Sequence, residues 1–343
     1  MLKARAKYIH FLKRVLKAAG IFLALIAIIC IALAVYFKPA TDQEFFVSFS
    51  APYARYLGLN DKVTFAAILQ ELKPKQVRLA SYWYDVEKER GKYDFSSVDW
   101  QLEMAKRAGV NVVLAIGHKL PRWPECSQPG WYNDLSQAEK EEAIINILKQ
   151  SVEHYKKYNN IVIWQVENEP RLHFGANCPI KTKEFLQKEV AIVRSIDPRP
   201  ILMTDGGEFG RWIPTASVSP DLFGATLYRK VKMWGADFLF TYPIPPQFFW
   251  VKGGMVKLLT GKDKIIGVEL QAEPWNIQGV LETPIETQLQ HFNVETFLEY
   301  VDYAKTAGMT DYYLWGTEWW YWMKIKNNHP EFWETAKIII SEK

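Results

Sequence analysis

The stretch IVIWQVENEP, residues 161–170, joins an apolar run to two carboxylates. The β-branched and aromatic side chains of residues 161–166 are typical of a strand that is buried on both faces. Burying an ionised carboxylate costs several kcal/mol unless it is paired or used chemically. Glu167 and Glu169 therefore predict a functional site at the carboxyl end of this strand.

Seven other runs share this apolar, β-rich character, and segments with helical spacing separate most of them. The runs are residues 45–49, 76–80, 111–116, 201–204, 223–227, 264–268 and 312–315. The predicted helices are 98–108, 137–157, 182–196, 294–307 and 331–341, with weaker patterns at 63–72 and 247–259. Only the segment after Thr204 lacks a long helical pattern.

Eight strands that alternate with crossovers predict an α/β fold with a parallel sheet covered on both faces. Closing such a sheet gives a (β/α)8 barrel, the TIM barrel. A doubly wound open sheet is the alternative. Its nucleotide-binding form is disfavoured because FSAPYARYLG, residues 49–58, stands where a glycine-rich phosphate turn would follow the first strand.

The charge of the chain is divided unevenly along its length. Residues 1–40 hold seven Lys or Arg and no acid, which leaves 35 basic against 38 acidic residues in the remainder. The predicted barrel thus lacks the basic balance of a nucleic-acid-binding protein. Apolar residues make up 49% of the chain, which is enough to build a large core and excludes general disorder.

The N-terminal segment has the pattern of a membrane anchor. Residues 18–37 carry no charge, and twenty helical residues suffice to cross a hydrocarbon core of roughly 30 Å. Six basic residues precede this run, so residues 1–17 are predicted to be cytoplasmic, with the rest on the periplasmic or extracellular side of the membrane. Residues 38–44 are then a linker, and residues 45–343 form the catalytic domain.

A cleaved signal peptide is the alternative reading of this segment. The small-x-small sequence Ala32-Leu33-Ala34 fits a cleavage site. However, it lies inside the apolar run, and the run is longer than the usual 7–15 residues of a signal peptide. The anchor is favoured for that reason.

Polar and aromatic side chains follow the predicted strands, where barrel enzymes carry their active sites. They are Arg78, residues 82–84, His118, Trp123, Asn168, Glu169, Tyr228, Glu269, Trp315 and residues 318–320. Carboxylates after strands four and seven face each other across a barrel, and glycoside hydrolysis uses such a pair. The sequence contains no zinc-type Cys/His spacing and no G-x-S-x-G motif, so neither a metal nor a cofactor is expected.

WQVENEP, residues 164–170, resembles the strand-four signature of a large clan of retaining (β/α)8 glycoside hydrolases. The clan includes cellulase-like family 5, family 39 and the family 42 β-galactosidases. The resemblance implies that Asn168 binds substrate and that Glu169 is the general acid/base. IIGVELQAEPWN, residues 265–276, is similar to the strand-seven passage of the clan and implies that Glu269 is the nucleophile.

Other passages extend the resemblance over roughly residues 45–340. VRLASYWYDVEKERGKYDFSSVDW, residues 77–100, is similar to the strand-two passage, in which Arg78 would support the nucleophile. LPRWPE, residues 120–125, also fits the clan, as do Tyr228 and Trp315 after strands six and eight. Substrate contacts are expected for Asn168, Arg78, Tyr228, Trp315, His118 and Trp123. For His118 a structural role is the alternative. For Trp315, Trp319, Trp320 and Trp322 the alternative to a place in the site is a core or membrane-interface position.

The sequence therefore predicts a membrane-anchored retaining β-glycosidase that acts on β-linked oligo- or polysaccharides. Glu273 is a rival nucleophile, and Glu167 is a rival acid that would more readily form a structural ion pair. The alternative function is a catalytically silent barrel that binds glycans or a partner. Retention predicts that the two catalytic carboxyls lie about 5–5.5 Å apart.

Two cysteines and the short linker give further expectations. Cys126 and Cys178 lie in adjacent loops after strands three and four, and in an oxidising compartment they could form a disulfide. Two free thiols are the alternative. The linker holds the N-terminal face of the barrel within ~25 Å of the bilayer, so the cleft should open away from the membrane.

Overall fold

A computed structural model describes residues 2–37, 40–176, 178–233 and 237–342, and for residues 2–7 it describes only the backbone. Within these residues eight parallel strands close into a barrel. The strands are β1 (Phe45–Ser48), β2 (Gln76–Ala80), β3 (Asn111–Ile116), β4 (Ile161–Val166), β5 (Ile201–Asp205), β6 (Leu222–Leu227), β9 (Ile265–Gln271) and β10 (Tyr312–Trp315). Strands β9 and β10 are the seventh and eighth strands of the barrel, because β7 and β8 belong to a separate hairpin. The predicted TIM barrel is confirmed, and the open doubly wound sheet is wrong.

Helices and short turns connect these strands. The helices are α1 (Leu2–Tyr36), α2 (Ala51–Tyr56), α3 (Asp61–Ala67), α4 (Trp83–Val86), α5 (Ser96–Arg107), α6 (Gln137–Tyr155), α7 (Lys183–Ile196), α8 (Trp212–Ala216), α9 (Gln247–Thr260), α10 (Ile285–His291), α11 (Val294–Ala307), α12 (Thr317–Lys326) and α13 (Glu331–Ser341). A π-helical turn spans Ile68–Leu72, and a 3-10 turn spans Gly130–Asp134. The loop after β6 contains a small antiparallel hairpin of β7 (Lys230–Lys232) and β8 (Leu239–Thr241).

Local signals explain where the long helices begin and end. Ser136 and Glu139 form a reciprocal capping box at the start of α6. The side chain of Asn293 caps α11, and Gly308 ends that helix in the left-handed conformation that glycine adopts without strain. These caps fix the directions in which the helices return to the sheet.

The core has an outer and an inner part, which follow from the alternation of side chains along each strand. Residues such as Val47 and Leu114 pack outward against the helices in the main cluster. A smaller cluster at alternate positions fills the barrel interior; its buried members are Phe46, Val113, Leu202, Ile266, Val268 and Tyr313. The barrel interior is therefore a packed apolar core, and the polar side chains of the site lie above it, toward the C-terminal ends of the strands.

Helix α1 stands apart from this core along most of its length. Its segment Tyr8–Tyr36 contains an 18-residue window with a mean hydropathy of 3.0 and could cross a membrane by length and composition; a signal sequence at this position has the same properties. The predicted linker, 38–44, lies partly outside the described residues. Within it, the Ala40 backbone N–H donates to the Gly308 carbonyl (3.1 Å), so the chain reaches β1 along the N-terminal face of the barrel.

Candidate active site

The end of β4 supplies the first carboxylate of the site. Glu169 is buried and has a backbone φ of 46°, an uncommon left-handed conformation for a residue other than glycine. Its backbone N–H donates to Thr204 Oγ1 (3.0 Å), and Thr226 Oγ1 donates to its side-chain Oε1 (2.9 Å). Neighbouring strands therefore hold both the backbone and the carboxyl of Glu169.

A β-bulge aims the second carboxylate. Ile266 and Val268 both belong to the interior cluster, so strict alternation would point Glu269 outward to the helices. Instead the register between β6 and β9 shifts: Ala225 pairs with Gly267, but the next residue, Thr226, pairs with Glu269. Val268 is therefore the additional residue of a β-bulge. The bulge turns Glu269 into the barrel. Strand β9 also extends to Gln271, beyond the predicted end at Val268, so Glu269 lies within the strand.

Two donors hold the carboxylate of Glu269. Arg78 Nη1 donates to Oε1 (2.7 Å), and the Tyr228 hydroxyl donates to Oε2 (2.8 Å). The buried Arg78 also donates to Asn168 Oδ1 (2.8 Å) and to Gln165 Oε1 (2.7 Å). One arginine thus links the ends of β4 and β9 and satisfies the charge of Glu269.

The two carboxyls differ in their electrostatic surroundings. Burial, followed by the negative charge of Glu269, raises the pKa of Glu169 to about 7. Burial and the same carboxylate raise the pKa of Tyr228 well above its usual value, so its hydroxyl remains a donor at neutral pH. Glu169 can therefore carry a proton at neutral pH beside a carboxylate held by a cation and a hydroxyl.

A cleft of about 810 Å³ opens above Glu269. Of its described lining residues, nine are aromatic: Tyr53, Tyr56, Tyr82, Tyr84, Trp123, Phe174, Tyr228, Trp275 and Trp315. Trp123 is 70% exposed and presents its ring at the rim. Flat aromatic surfaces and a few polar groups are the lining that binds the apolar faces and hydroxyls of sugars.

Arg122 forms one wall of this cleft. Its guanidinium lies between the rings of Tyr53 (3.8 Å) and Trp315 (4.1 Å). It forms ion pairs with Glu273 and with Glu318 (2.9 Å), both buried. Burial raises the pKa of Glu273 to about 7. Glu273, the rival nucleophile, is therefore paired with a wall residue and is not held by Arg78.

Glu167, the rival acid, belongs to a separate buried ion cluster. It accepts backbone hydrogen bonds from His118 (2.6 Å) and Lys119 (2.8 Å). It also pairs with Lys181 (2.9 Å), which pairs in turn with Glu189 (2.6 Å). These contacts join the ends of β3 and β4, so Glu167 has a structural position.

The structure does not bring His118 to the cleft, contrary to the predicted substrate contact. Its side chain is 1% exposed, packs edge-on to Trp83, and contacts Gln128 Oε1 through Nε2 (3.0 Å). Burial lowers its pKa to about 4, which keeps the ring neutral. His118 does follow β3, as predicted, but the alternation of side chains along a strand does not show which way a ring in the following loop points.

The tryptophans after β10 divide between the cleft and the core. Trp315 lines the cleft, as predicted from its place at the strand end. Trp319 and Trp320 are buried in the main core, and their ring N–H groups donate to Gln288 Oε1 (2.8 Å) and to the Ala272 carbonyl (2.6 Å). The core reading of these residues is therefore the correct one.

A disulfide joins two walls of the cleft. Cys126 and Cys178 are bonded, with their Cα atoms 5.4 Å apart. Glu125 precedes one cysteine, and Phe174 and Gly175 precede the other; all three line the cleft. The bond therefore fixes the loop after β3 against the loop after β4.

Several site residues were not predicted from the sequence. Thr204, Thr226 and Gln165 hold the catalytic candidates, and only their places near strand ends could have indicated them. Trp275 lies edge-on to Tyr228 (6.1 Å between ring centroids), and Arg122 reaches the site through an irregular loop. Across the described ranges, no group of three or more His, Cys, Asp or Glu side chains could hold a metal ion.

A known protein family matches the part of the chain that includes Glu169. Residues 42–238, more than half of the chain, match the family model described as cellulase (glycosyl hydrolase family 5). Among curated protein sequences, none matches the chain significantly.

Solved structures share the barrel. A family 10 endo-β-1,4-xylanase from Gloeophyllum trabeum aligns with a TM-score of 0.56 at 16% identity, over 89% of this chain and 100% of that one. A β-glucosidase from Exiguobacterium marinum aligns with a TM-score of 0.54 at 13% identity, over 81% and 89%. The exo-β-1,4-mannosidase Op5Man5 from Opitutaceae bacterium strain TAV5 aligns with a TM-score of 0.53 at 14% identity over 82% of this chain, which spans only 54% of that enzyme. At these identities the likeness shows the fold alone.

Proposed function

The chain belongs to glycosyl hydrolase family 5, the cellulase family, and is a glycoside hydrolase; from that premise we propose that it is a membrane-anchored, retaining β-glycosidase. The observation that carries the proposal is the unequal carboxyl pair. Glu169 is buried with its pKa raised to about 7, whereas Arg78 and Tyr228 both donate to Glu269. Unequal surroundings suit one carboxyl to hold a proton and the other to attack.

In the first step, a carboxylate oxygen of Glu269 attacks the anomeric carbon of the sugar. The bond from that carbon to the leaving oxygen breaks, and Glu169 transfers its proton to that oxygen. The products of this step are the free leaving group and a glycosyl ester of Glu269. The proton comes from a carboxyl whose pKa is about 7, which matches neutral conditions.

In the second step, water attacks the anomeric carbon while the Glu169 carboxylate takes a proton from that water. The bond to Glu269 breaks, which releases the sugar and restores both carboxyls. The change of role has an electrostatic cause. Once Glu269 is esterified its negative charge is gone, so a cause that raises the pKa of Glu169 is removed and Glu169 can serve as a base.

The substrate is proposed to be a β-linked oligo- or polysaccharide. Asn168 Oδ1 accepts from Arg78 (2.8 Å) and from Thr204 (3.3 Å), which leaves its amide NH2 to donate to a sugar hydroxyl. Tyr228 and Trp315 provide ring surfaces in the cleft, and Trp123 provides one at the rim. These contacts would orient a sugar over Glu269.

The anchor is part of the proposal. Helix α1 would cross the membrane with residues 1–17 in the cytoplasm and the barrel on the other side, where an oxidising compartment would maintain the disulfide. Removing residues 1–39 should release a soluble enzyme with unchanged turnover of small glycosides. Loss of turnover in a folded truncation would contradict this part.

The experiment that tests the reaction begins with full-length protein in detergent and a panel of chromogenic β-glycosides and polysaccharides. Nuclear magnetic resonance of the first product should show retention at the anomeric carbon. Azide should rescue Glu269→Gly with formation of the α-glycosyl azide, and Glu169→Ala with formation of the β-glycosyl azide. Inversion at the anomeric carbon would refute the double displacement.

A catalytically silent glycan-binding protein, the alternative from the sequence, is the contrary outcome of this experiment, because an aromatic cleft can bind sugars without carboxylates. Under this alternative, no member of the panel is hydrolysed. Binding of an oligosaccharide by the wild-type protein would then persist unchanged in a variant with both Glu169→Gln and Glu269→Gln.

A further inference from the structure

Helix α9, which follows the hairpin after β6, carries an unusual apolar stripe. Phe249 and Val256 face the core and are buried. On another side, Met255, Leu258 and Leu259 are exposed, the two leucines by 62% and 61%. Their spacing of three and four residues places them on one face of the helix. Large exposed leucines gathered on one helix face indicate an interaction surface.

The same helix receives the end of α1. A Cβ atom added to Gly254 would lie 2.2 Å from the Leu33 carbonyl oxygen, and one added to Gly253 would lie 2.8 Å from the ring of Phe37. At Gly254 the three atoms nearest to the added Cβ belong to Leu33 of α1, and at Gly253 they belong to Phe37, the residue after α1. The two glycines thus create the space in which α1 approaches α9, and Phe37 is buried there.

This contact also bears on whether α1 is retained. Ala32-Leu33-Ala34 is the small-x-small pattern at which a signal peptide would be cleaved, and Leu33 is the residue that approaches Gly254. Cleavage there would remove the residue that the backbone of Gly254 accommodates. The close contact with α9 therefore supports a helix that stays attached.

Leu258, one turn after Gly254, places the edge of the exposed stripe beside the end of the apolar helix. Lys257 on α9 places its ammonium group 4.6 Å from the ring centroid of Tyr36, the last residue of α1. Leu258 follows Lys257 in the sequence, and Lys262 and Lys264 follow the helix. Apolar side chains next to lysines, at the level where a spanning helix leaves the bilayer, match the boundary between acyl chains and phosphate headgroups.

We propose that the stripe of Met255, Leu258 and Leu259 inserts into the interfacial region of the lipid bilayer beside α1. The inference rests on the proposed membrane anchoring. The barrel is then seated on the membrane at two places, α1 and α9, and does not swing freely on its linker. The seat holds the N-terminal side of the barrel toward lipid and the cleft toward the extracytoplasmic space, where glycan polymers can reach it.

The test uses full-length protein in phosphatidylcholine nanodiscs with a nitroxide on one cysteine, in a Cys30→Ala background. Probes are placed with Leu258→Cys on the stripe, Val63→Cys on α3 as the matched control (55% exposed), and Phe22→Cys on α1. Collision rates with oxygen, which concentrates in lipid, and with a water-soluble nickel complex are measured. We expect the oxygen-to-nickel ratio at position 258 to exceed that at position 63 severalfold.

The other outcomes overturn the proposal in distinguishable ways. Equal ratios at 258 and 63, with a lipid-like probe at 22, refute the seat and leave the anchor standing. A water-like probe at 22 refutes the anchor and the seat together. Shielding of position 258 from both reagents, with cross-linked dimers formed by the unlabelled Leu258→Cys protein, assigns the stripe to a second copy of the chain and refutes the bilayer.

A second variant tests the contact between the helices. Gly254→Leu collides with the backbone of α1 and should separate α1 from α9 without touching the cleft. Turnover of a small glycoside reports that the barrel remains folded. In that variant, nickel collisions at position 258 should rise severalfold. An unchanged collision rate in the active variant contradicts the role given to the contact.

Discussion

Replacing Tyr228 with phenylalanine removes one oxygen atom and one hydrogen bond from the proposed nucleophile. The hydroxyl donates to Glu269 Oε2 at 2.8 Å, while Arg78 holds the other oxygen at 2.7 Å. A hydrogen bond to a charged group contributes about 1.5–3 kcal/mol. If that contribution aligns the carboxylate for attack, kcat/KM should fall roughly 10- to 100-fold, since each 1.36 kcal/mol is tenfold in rate.

The assay is steady-state hydrolysis of the best aryl glycoside from the panel, with thermal unfolding measured in parallel. Tyr300→Phe is the matched control, because Tyr300 is a buried tyrosine on α11 outside the cleft lining. It should leave kcat/KM unchanged. A Tyr228→Phe enzyme with wild-type kcat/KM would refute the role given to this hydroxyl. A lower unfolding temperature with unchanged kinetics would reduce it to a packing residue.

Three further predictions concern titration, the cleft wall and the disulfide. Because Glu169 must be protonated to act as an acid, kcat/KM should fall as the pH rises through about 7. On substrates with activated leaving groups, the Glu169→Gln enzyme should not show this fall in kcat/KM at alkaline pH. A wild-type profile that stays flat to pH 9 contradicts the assignment. Arg122→Met leaves the buried carboxylates of Glu273 and Glu318 without their cation, so urea unfolding at pH 8 should show a loss of about 3–5 kcal/mol. The loss should shrink at pH 5, because burial raises the pKa of both carboxyls, that of Glu273 to about 7; an equal loss at both pH values is the contrary result. Replacing Cys126 and Cys178 with serine should lower the free energy of unfolding by on the order of 4 kcal/mol in the chain-entropy model, and mass spectrometry that finds two free thiols in the non-reduced wild type would reject the bridge.

The barrel could be predicted because its determinants are local and periodic. Each barrel strand is a short apolar run, and helices α5, α6, α7, α11 and α13 carry clear amphipathic spacing, with caps such as Asn293 and Gly308. The segment after Thr204 was expected to lack a long helix, and α8 there spans only Trp212–Ala216. Short elements such as the β7–β8 hairpin were missed because a few residues give no measurable period.

The candidate site was predictable mainly where a functional residue stands at or near the end of a strand. Tyr228 and Trp315 were found by that rule, and both line the cleft. The aim of Glu269 depends on a β-bulge, which pairwise register decides and sequence alternation does not show. Arg122 reaches the cleft from an irregular loop with a positive φ, so nothing in its local sequence marks it as a wall residue.

The central claim is that Glu269, and not Glu273, forms the covalent intermediate. The most direct measurement is peptide mass spectrometry after incubation with a 2-deoxy-2-fluoro glycoside of the sugar found in the panel, because that reagent accumulates the glycosyl-enzyme. The account predicts that the label is on Glu269, which Arg78 and Tyr228 hold. A label on Glu273 would contradict it, and so would steady turnover of the reagent's parent glycoside by a Glu269→Gln enzyme.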